Sequence, residues 1–368
     1  MNDVMTPSVL VEALGTTVRI DLAGQPDAHV RAVERAWQDA ATTGTELANI
    51  VAGHEIADLT GLLSDLSQRV TLSAIAARRG ELWMLHAAGV ALPDGRVVVF
   101  VGPSGQGKTT ASRALGSTYG YVSDETVGID GAGRVWPYRK PLSIIERDAW
   151  PKVQRAPSEV GLLPLPDSEL RLGAIVLLDR RPDAADDPKV EIVDLGDALE
   201  ELTAQSSQLA AMPAPLQSIA SLVAAVGGVQ RVTYREAASL VPLVPALAGR
   251  APQAAEIAPE LSAGRTGRPA AYHRTPVQDA LALRDPDRIA VFQESETGYG
   301  MLRVVAGVAP ALWRAADGAT LDDLIDAAVD AYGAPEGADT AFLVRAALDD
   351  LVAEGLIELR PARMDSER

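Results

Sequence analysis

Gly102-Pro103-Ser104-Gly105-Gln106-Gly107-Lys108-Thr109 fits the pattern G-x-x-x-x-G-K-[ST] at every position. Each residue type has a physical task. Glycines let the backbone wrap closely and aim successive N–H groups at phosphate oxygens. A helix opening at Lys108 adds the positive end of its dipole. Lys108 reaches the β- and γ-phosphates of a nucleoside triphosphate, and the Thr109 hydroxyl is a ligand for magnesium. Thr110 follows on the same first turn. The loop implies triphosphate binding and does not by itself name a reaction. Its sequence is also similar to the loop of transporter ATPases, but the chain lacks their LSGGQ-type signature, which sets that class aside.

Three further groups stand near this loop. His86 precedes it in Leu85-His86-Ala87, the pair Asp124-Glu125 follows it, and Arg139-Lys140 lies just beyond. Transfer of a phosphoryl group to a hydroxyl needs a base near the γ-phosphate, with positioning and charge neutralisation besides. If Asp124 and Glu125 both lie in a strand they face opposite sides, so one of them faces the phosphate, and Asp124 is the choice. Arg139 and Lys140 are either neutralising cations on the transferring group or two solvated bases on a loop. His86 is either part of the site or a satisfied core histidine. Asp179 ends an apolar run as a second metal-binding acid would, but Arg180 and Arg181 stand beside it, and it is left outside the site. His29, His54 and His273 have no partner pattern and read as structural or exposed.

The elements that must hold these residues follow from periodicity. A small strand pair is expected over 8–22, with helices at 28–42 and 58–79. Two strands, 82–92 and 96–101, meet at the turn Pro93-Asp94-Gly95, and the second runs into the glycine-rich loop. RVVVFV is apolar nearly throughout, as in a sheet covered on both faces. A helix from 109 to about 116, a strand over 120–129, a buried strand at 173–178 and helices filling roughly 194–226 complete this part. From 249 to 275 the pattern collapses into Ala, Pro, Gly and Arg, the composition of a linker. Beyond it, strands at 288–293 and 299–304 flank the turn ESETG. Helices follow at 308–315, 321–332 and 338–354, with Thr320 as an N-cap, Gly355 as a stop and 356–359 as a closing strand. The fold class is α/β, divided as an N-terminal α/β region (1–80), a P-loop domain (81–248), a linker (249–275) and a winged-helix-like module (276–362).

Composition excludes several partners. The 368 residues carry a formal charge of −17 and no cysteine, so thiolate metal sites and disulfides are ruled out. An acidic chain is a poor partner for nucleic acid or for an anionic membrane. In the C-terminal module acids outnumber bases by more than two to one, the wrong sign for a DNA-binding winged helix. The first residues do not read as a signal peptide, no apolar run is long enough to span a bilayer, and the expected location is cytoplasmic.

LHAAGV, GPSGQGKTT, YVSDETVGID and YRKPLS together resemble the HPr kinase family and its wider set of HPr-kinase-like proteins. The resemblance covers about 80–180 as motifs and 1–248 more loosely. It implies an ATP- and Mg2+-dependent kinase in which a carboxylate just after the loop is the general base and a neighbouring acid serves magnesium. By position Asp124 matches the first and Glu125 the second, although a second aspartate is the commoner pattern. His86 matches the histidine that precedes the loop. The stretches GVAPALWRAADGATLDDLIDAAVDAYG and FLVRAALDDLVAEGLIEL resemble PqqD-like domains, the recognition elements of ribosomal-peptide-modifying systems. That resemblance implies a leader peptide held as an added strand along 299–304, beside a helix face of Phe342, Arg345, Ala346 and Asp349.

Together these readings point to ATP-dependent phosphorylation of a Ser, Thr or similar hydroxyl in a ribosomally made precursor peptide. Two rivals stay open: an ATP-gated peptide-binding chaperone without transfer, and a protein-serine kinase of metabolic regulation. A homo-oligomer also stays open.

Overall fold

The computed structural model describes residues 7–45, 48–51, 56, 58–103, 107–146, 149–253, 259, 271–283, 287–294, 300–335, 337 and 339–360. The chain divides into two compact units, residues 1–212 with 218–255, and residues 213–217 with 256–368. Both mix helices and sheets. Among the described residues no helix is long and apolar enough to cross a membrane.

The first unit opens with β1 (Ser8–Ala13), β2 (Thr16–Asp21), α1 (Asp27–Ala36), β3 (Ala48–Val51) and α2 (Leu59–Ala77). Asp58 caps α2, its carboxylate accepting the Gly61 N–H at 2.9 Å. The three strands form a small sheet, and the core beneath it joins Val11, Val18 and Ile20 to Leu62, Leu66 and Val70. This core does not stop at residue 80. Leu82, Met84 and Tyr138 are part of it, because three strands and two helices alone leave an apolar face uncovered.

β4 (Trp83–Leu85), β5 (Ala87–Ala91) and β6 (Arg96–Val101) lead to α3 (Lys108–Gly116). Then come β7 (Gly120–Ser123), β8 (Val127–Ile129), β9 (Val135–Trp136) and the antiparallel pair β10 (Leu142–Glu146) and β11 (Ala149–Arg155). β12 (Arg171–Arg180), β13 (Lys189–Val193), α4 (Leu195–Ala204), β14 (Ser206–Ser207), α5 (Pro215–Ala225), β15 (Val229–Tyr234) and α6 (Val244–Leu247) complete the order. Six strands make the main sheet in the order β13-β15-β12-β6-β5-β7. β6, β12 and β15 run parallel, and β5 and β13 run against their neighbours. Val97 to Val101 are wholly buried, in line with the apolar run of this strand. Phe100, Val98, Val176 and Val232 share one core with Ala111 and Leu115 of α3, which fixes the helix over the sheet.

Two expected strands are broken, and both breaks matter. The segment 82–92 divides at His86, and 120–129 divides at Asp124 to Thr126. β4 and β8 pair in a four-stranded sheet, β14-β4-β8-β9, whereas β5 and β7 pair in the main sheet. Both chains therefore cross from one sheet to the other at the same level, and His86 and the acidic pair sit at the joint. The Ala87 N–H donates to the Glu125 carbonyl at 3.1 Å and ties the two crossings together.

The second unit contains β16 (Ala271–Arg274), β17 (Asp279–Leu283), β18 (Arg288–Glu294), β19 (Gly300–Val305), α7 (Ala309–Ala315), α8 (Leu321–Tyr332), α9 (Thr340–Ala353) and β20 (Ile357–Arg360). β17, β18 and β19 form an antiparallel sheet with β19 at its edge, and β16 pairs with β20. The Thr320–Asp323 capping box starts α8, and Gly355, at φ +67°, ends the stretch after α9. β16 lies inside the span read as linker. Its alternation of buried Ala271 and His273 is too short to rise above the surrounding Ala, Gly and Pro. β17 was not anticipated either, and residues 295–299 of the expected turn lie outside the described residues.

Candidate active site

At the mouth of β6 the chain turns into α3. Gly102, Pro103 and Gly107 are described, whereas Ser104, Gly105 and Gln106 lie outside the described residues. Gly107 caps α3 at φ +83°, a left-handed conformation that glycine reaches without strain. Lys108 is 6% exposed, and its Nζ donates to the carbonyls of Gly102 at 2.6 Å and Pro103 at 3.1 Å. Burial holds its ammonium below the ordinary lysine range.

A pocket of about 370 Å³ opens beside this helix start. It is lined by His86, Gly107, Lys108, Thr109, Thr110, Asp124, Glu125, Lys140 and Ser143. The structure thus gathers residues from the loop, both sheet crossings and the segment leading into β10. Asp124 and Glu125 both line it, contrary to the expectation that one would turn away. The reason is local. Ser123 Oγ accepts the N–H groups of Glu125 at 3.2 Å and Thr126 at 3.1 Å, which ends β7 and removes strand alternation at the two acids. A serine directly before two acids at a strand end is the sequence signal for this turn.

The two carboxylates have different partners. Asp124 is 8% exposed and accepts a hydrogen bond from the Tyr121 hydroxyl at 2.9 Å. Glu125 pairs with Lys140 at 2.5 Å. Lys140 is 5% exposed and also stands 3.5 Å from Ser67 Oγ on α2. Burial alone depresses its ammonium, but Asp124 and Glu125 outweigh that and hold the net shift upward. Lys140 is therefore a protonated cation facing the pocket at neutral pH. His86 is shifted downward, by burial first and by the Lys108 cation second, with Glu125 and Asp124 opposing. Its imidazole is neutral at pH 7.

Arg139 is not among the residues lining this pocket. Tyr138 and Lys140 both reach α2, the first through a 3.0 Å contact to Thr71 Oγ1, the second at Ser67. Arg139 between them is engaged elsewhere, its Nη2 donating to the Leu163 carbonyl at 3.4 Å. Asp179 is taken up by Arg181 at 2.8 Å and Thr233 at 3.0 Å, and it does not line the pocket. The reading of the sequence missed Ser143, whose hydroxyl accepts from Gln154 at 2.7 Å.

The donor set suits magnesium. Mg2+ prefers oxygen ligands and takes few of them from protein, leaving places for phosphate and water. The Thr109 hydroxyl and the Glu125 carboxylate share the pocket. Among the described residues no group of three or more His, Asp or Glu could hold a metal ion.

No protein-family model matches the chain, and no curated protein matches it. Among solved structures, the chain is similar to the HPr(Ser) kinase/phosphatase from Coxiella burnetii at 14% identity and a TM-score of 0.25, with 45% of this chain and 92% of that chain covered. A likeness of that size leaves the roles of individual residues to the chemistry of the pocket itself.

Proposed function

We propose that the chain is a kinase that moves the γ-phosphoryl group of ATP, with Mg2+, to a hydroxyl of a ribosomally made precursor peptide. The single observation that carries the reading is that Lys108, Thr109 and Asp124 line one pocket at a helix N-terminus. Lys108 and the start of α3 hold the β- and γ-phosphates. Asp124 takes the proton of the acceptor hydroxyl as its oxygen bonds to the γ-phosphorus. The bond from the γ-phosphorus to the bridging oxygen breaks, and the diphosphate leaves against Lys108. Lys140 adds positive charge to the pocket beside Glu125. Thr109 and Glu125 would hold Mg2+, which neutralises charge on the phosphates when bound. His86, neutral, borders the transferring group.

The peptide acceptor rests on the second unit. Among the described residues β19 lies at the edge of its sheet, and Phe342, Arg345, Ala346 and Asp349 are all exposed on α9, Phe342 at 69%. An added peptide strand fits an edge of this kind. Acting with ATP on a ribosomal product puts the reaction in the cytoplasm. The test is to incubate the full chain and Mg-ATP with a precursor peptide and with the same peptide lacking its leader. Phosphorylation of the first and much weaker phosphorylation of the second supports the reading. Equal modification of both removes the peptide-recognition part.

A further inference from the structure

We infer that Tyr121 is a positioning residue, whose hydroxyl fixes the carboxylate of Asp124 for phosphoryl transfer; this rests on the kinase reading above. Tyr121 is wholly buried on β7, three residues before Asp124. Its ring shares a small core with Leu142 and Leu162, and its Cδ2 would lie 3.3 Å from a Cβ built on Gly116 at the end of α3. The ring is therefore bedded between β10 and the loop helix. Its hydroxyl spans the Ser123 turn and donates to Asp124 Oδ1 at 2.9 Å.

Among the described residues the Tyr121 hydroxyl is the one hydrogen-bond donor to this carboxylate. Burial, with the Asp124 charge behind it, keeps the phenol protonated far above the ordinary tyrosine range, so it acts as a donor throughout the working pH range. A carboxylate with one oxygen held by a rigid, fully packed donor loses rotation about its side chain and keeps its second oxygen for the acceptor proton. Lys140 is the nearby force that would otherwise reorient it, since this buried ammonium lines the same pocket and already pairs with the adjacent Glu125. Tyr121 thus keeps Asp124 from becoming a second partner of Lys140. Leu142 connects the same brace to the other wall, because its neighbour Ser143 lines the pocket.

Tyr121→Phe removes one oxygen and keeps every ring contact. With Mg-ATP and water as acceptor, phosphate release by the full chain is measured at saturating nucleotide, along with KM and with ATP affinity by calorimetry. The expected result is a fall in kcat of roughly 10- to 100-fold, the cost of a misplaced catalytic group, with KM and affinity unchanged. In an Asp124→Asn background the same substitution should cause no further fall. Wild-type kcat in Tyr121→Phe overturns the inference, as does an equal fall in both backgrounds, which marks the phenol as merely structural. Absence of any phosphoryl transfer by the wild type, to water or to the precursor peptide, overturns the kinase reading and the inference with it.

Discussion

At the scale of single residues, the pocket holds two neighbouring carboxylates in different states of engagement. Asp124 has a neutral donor, and Glu125 has a cation. Glu125→Gln therefore does more than delete one acid. Lys140 is buried, and Asp124 is the other carboxylate that lines the same pocket. The ammonium should turn to Asp124, and a carboxylate that would hold magnesium is lost as well, so phosphoryl transfer falls by both routes. The stability loss should be smaller than the roughly 3–5 kcal/mol of a fully buried pair, because Glu125 is partly exposed. Thermal melting and steady-state transfer on this variant check both statements; full activity with a lowered melting temperature would contradict the capture of Asp124. That Lys108, Thr109, Asp124, Glu125 and Lys140 stand near one another was legible in the sequence because each belongs to a short local pattern. Tyr121 and Ser143 were not. A buried tyrosine three residues before an acid looks like any core tyrosine, and Ser143 enters the pocket only through the packing of β10.

At the scale of elements, the site depends on two strand breaks at one level. Ser123 makes the second of them by accepting two backbone N–H groups. Ser123→Ala leaves those groups without their acceptor in a buried turn, at a cost of about 1–3 kcal/mol. It also lets the chain return toward strand alternation, which carries Asp124 and Glu125 to opposite sides. The expected outcome is a melting temperature several degrees lower, by the usual scaling, together with a fall in transfer larger than the fall in nucleotide affinity. Unchanged transfer in a destabilised variant would show that the turn serves stability alone. The strand pattern of 82–92 and 120–129 was legible and the breaks were not, since buried, strand-like residues stand on both sides of each break while the partners change sheet. The strands β13 and β15 and the pair β10 and β11 escaped for a related reason. They are short and mix charged, polar and apolar residues, and β13 and β15 are decided by pairing with each other across α4 and α5.

At the scale of the whole molecule, each compact unit has its own core and its own fastening. In the second unit Arg274 lies over Trp313 at 4.7 Å and bonds to Asp317, whose side chain is 16% exposed. Burial pushes the Asp317 carboxyl up, but hydrogen bonds from Arg274 outweigh it and hold the group below the ordinary carboxylate range. A depressed pKa stabilises above the unfolded value, near 3.9, and that contribution is lost as pH falls through the folded value. Asp317→Asn should therefore destabilise this unit by about 3 kcal/mol at pH 7. The gap to wild type should close in acid, once Asp317 itself is protonated. Calorimetric melting from neutral to acid pH reads this directly, and a gap that is constant with pH would contradict the ion pair. For the molecule as a whole, the decisive question is whether the phosphate pocket transfers or only binds. The measurement is phosphoryl transfer from Mg-ATP to a precursor peptide by intact-mass spectrometry, on wild type and Asp124→Asn, with ATP affinity measured for both. Removal of a general base should lower transfer by roughly two to four orders of magnitude while ATP affinity stays within a few-fold. Transfer by Asp124→Asn at the wild-type rate, or binding of ATP and peptide by the wild type without any transfer, would contradict it.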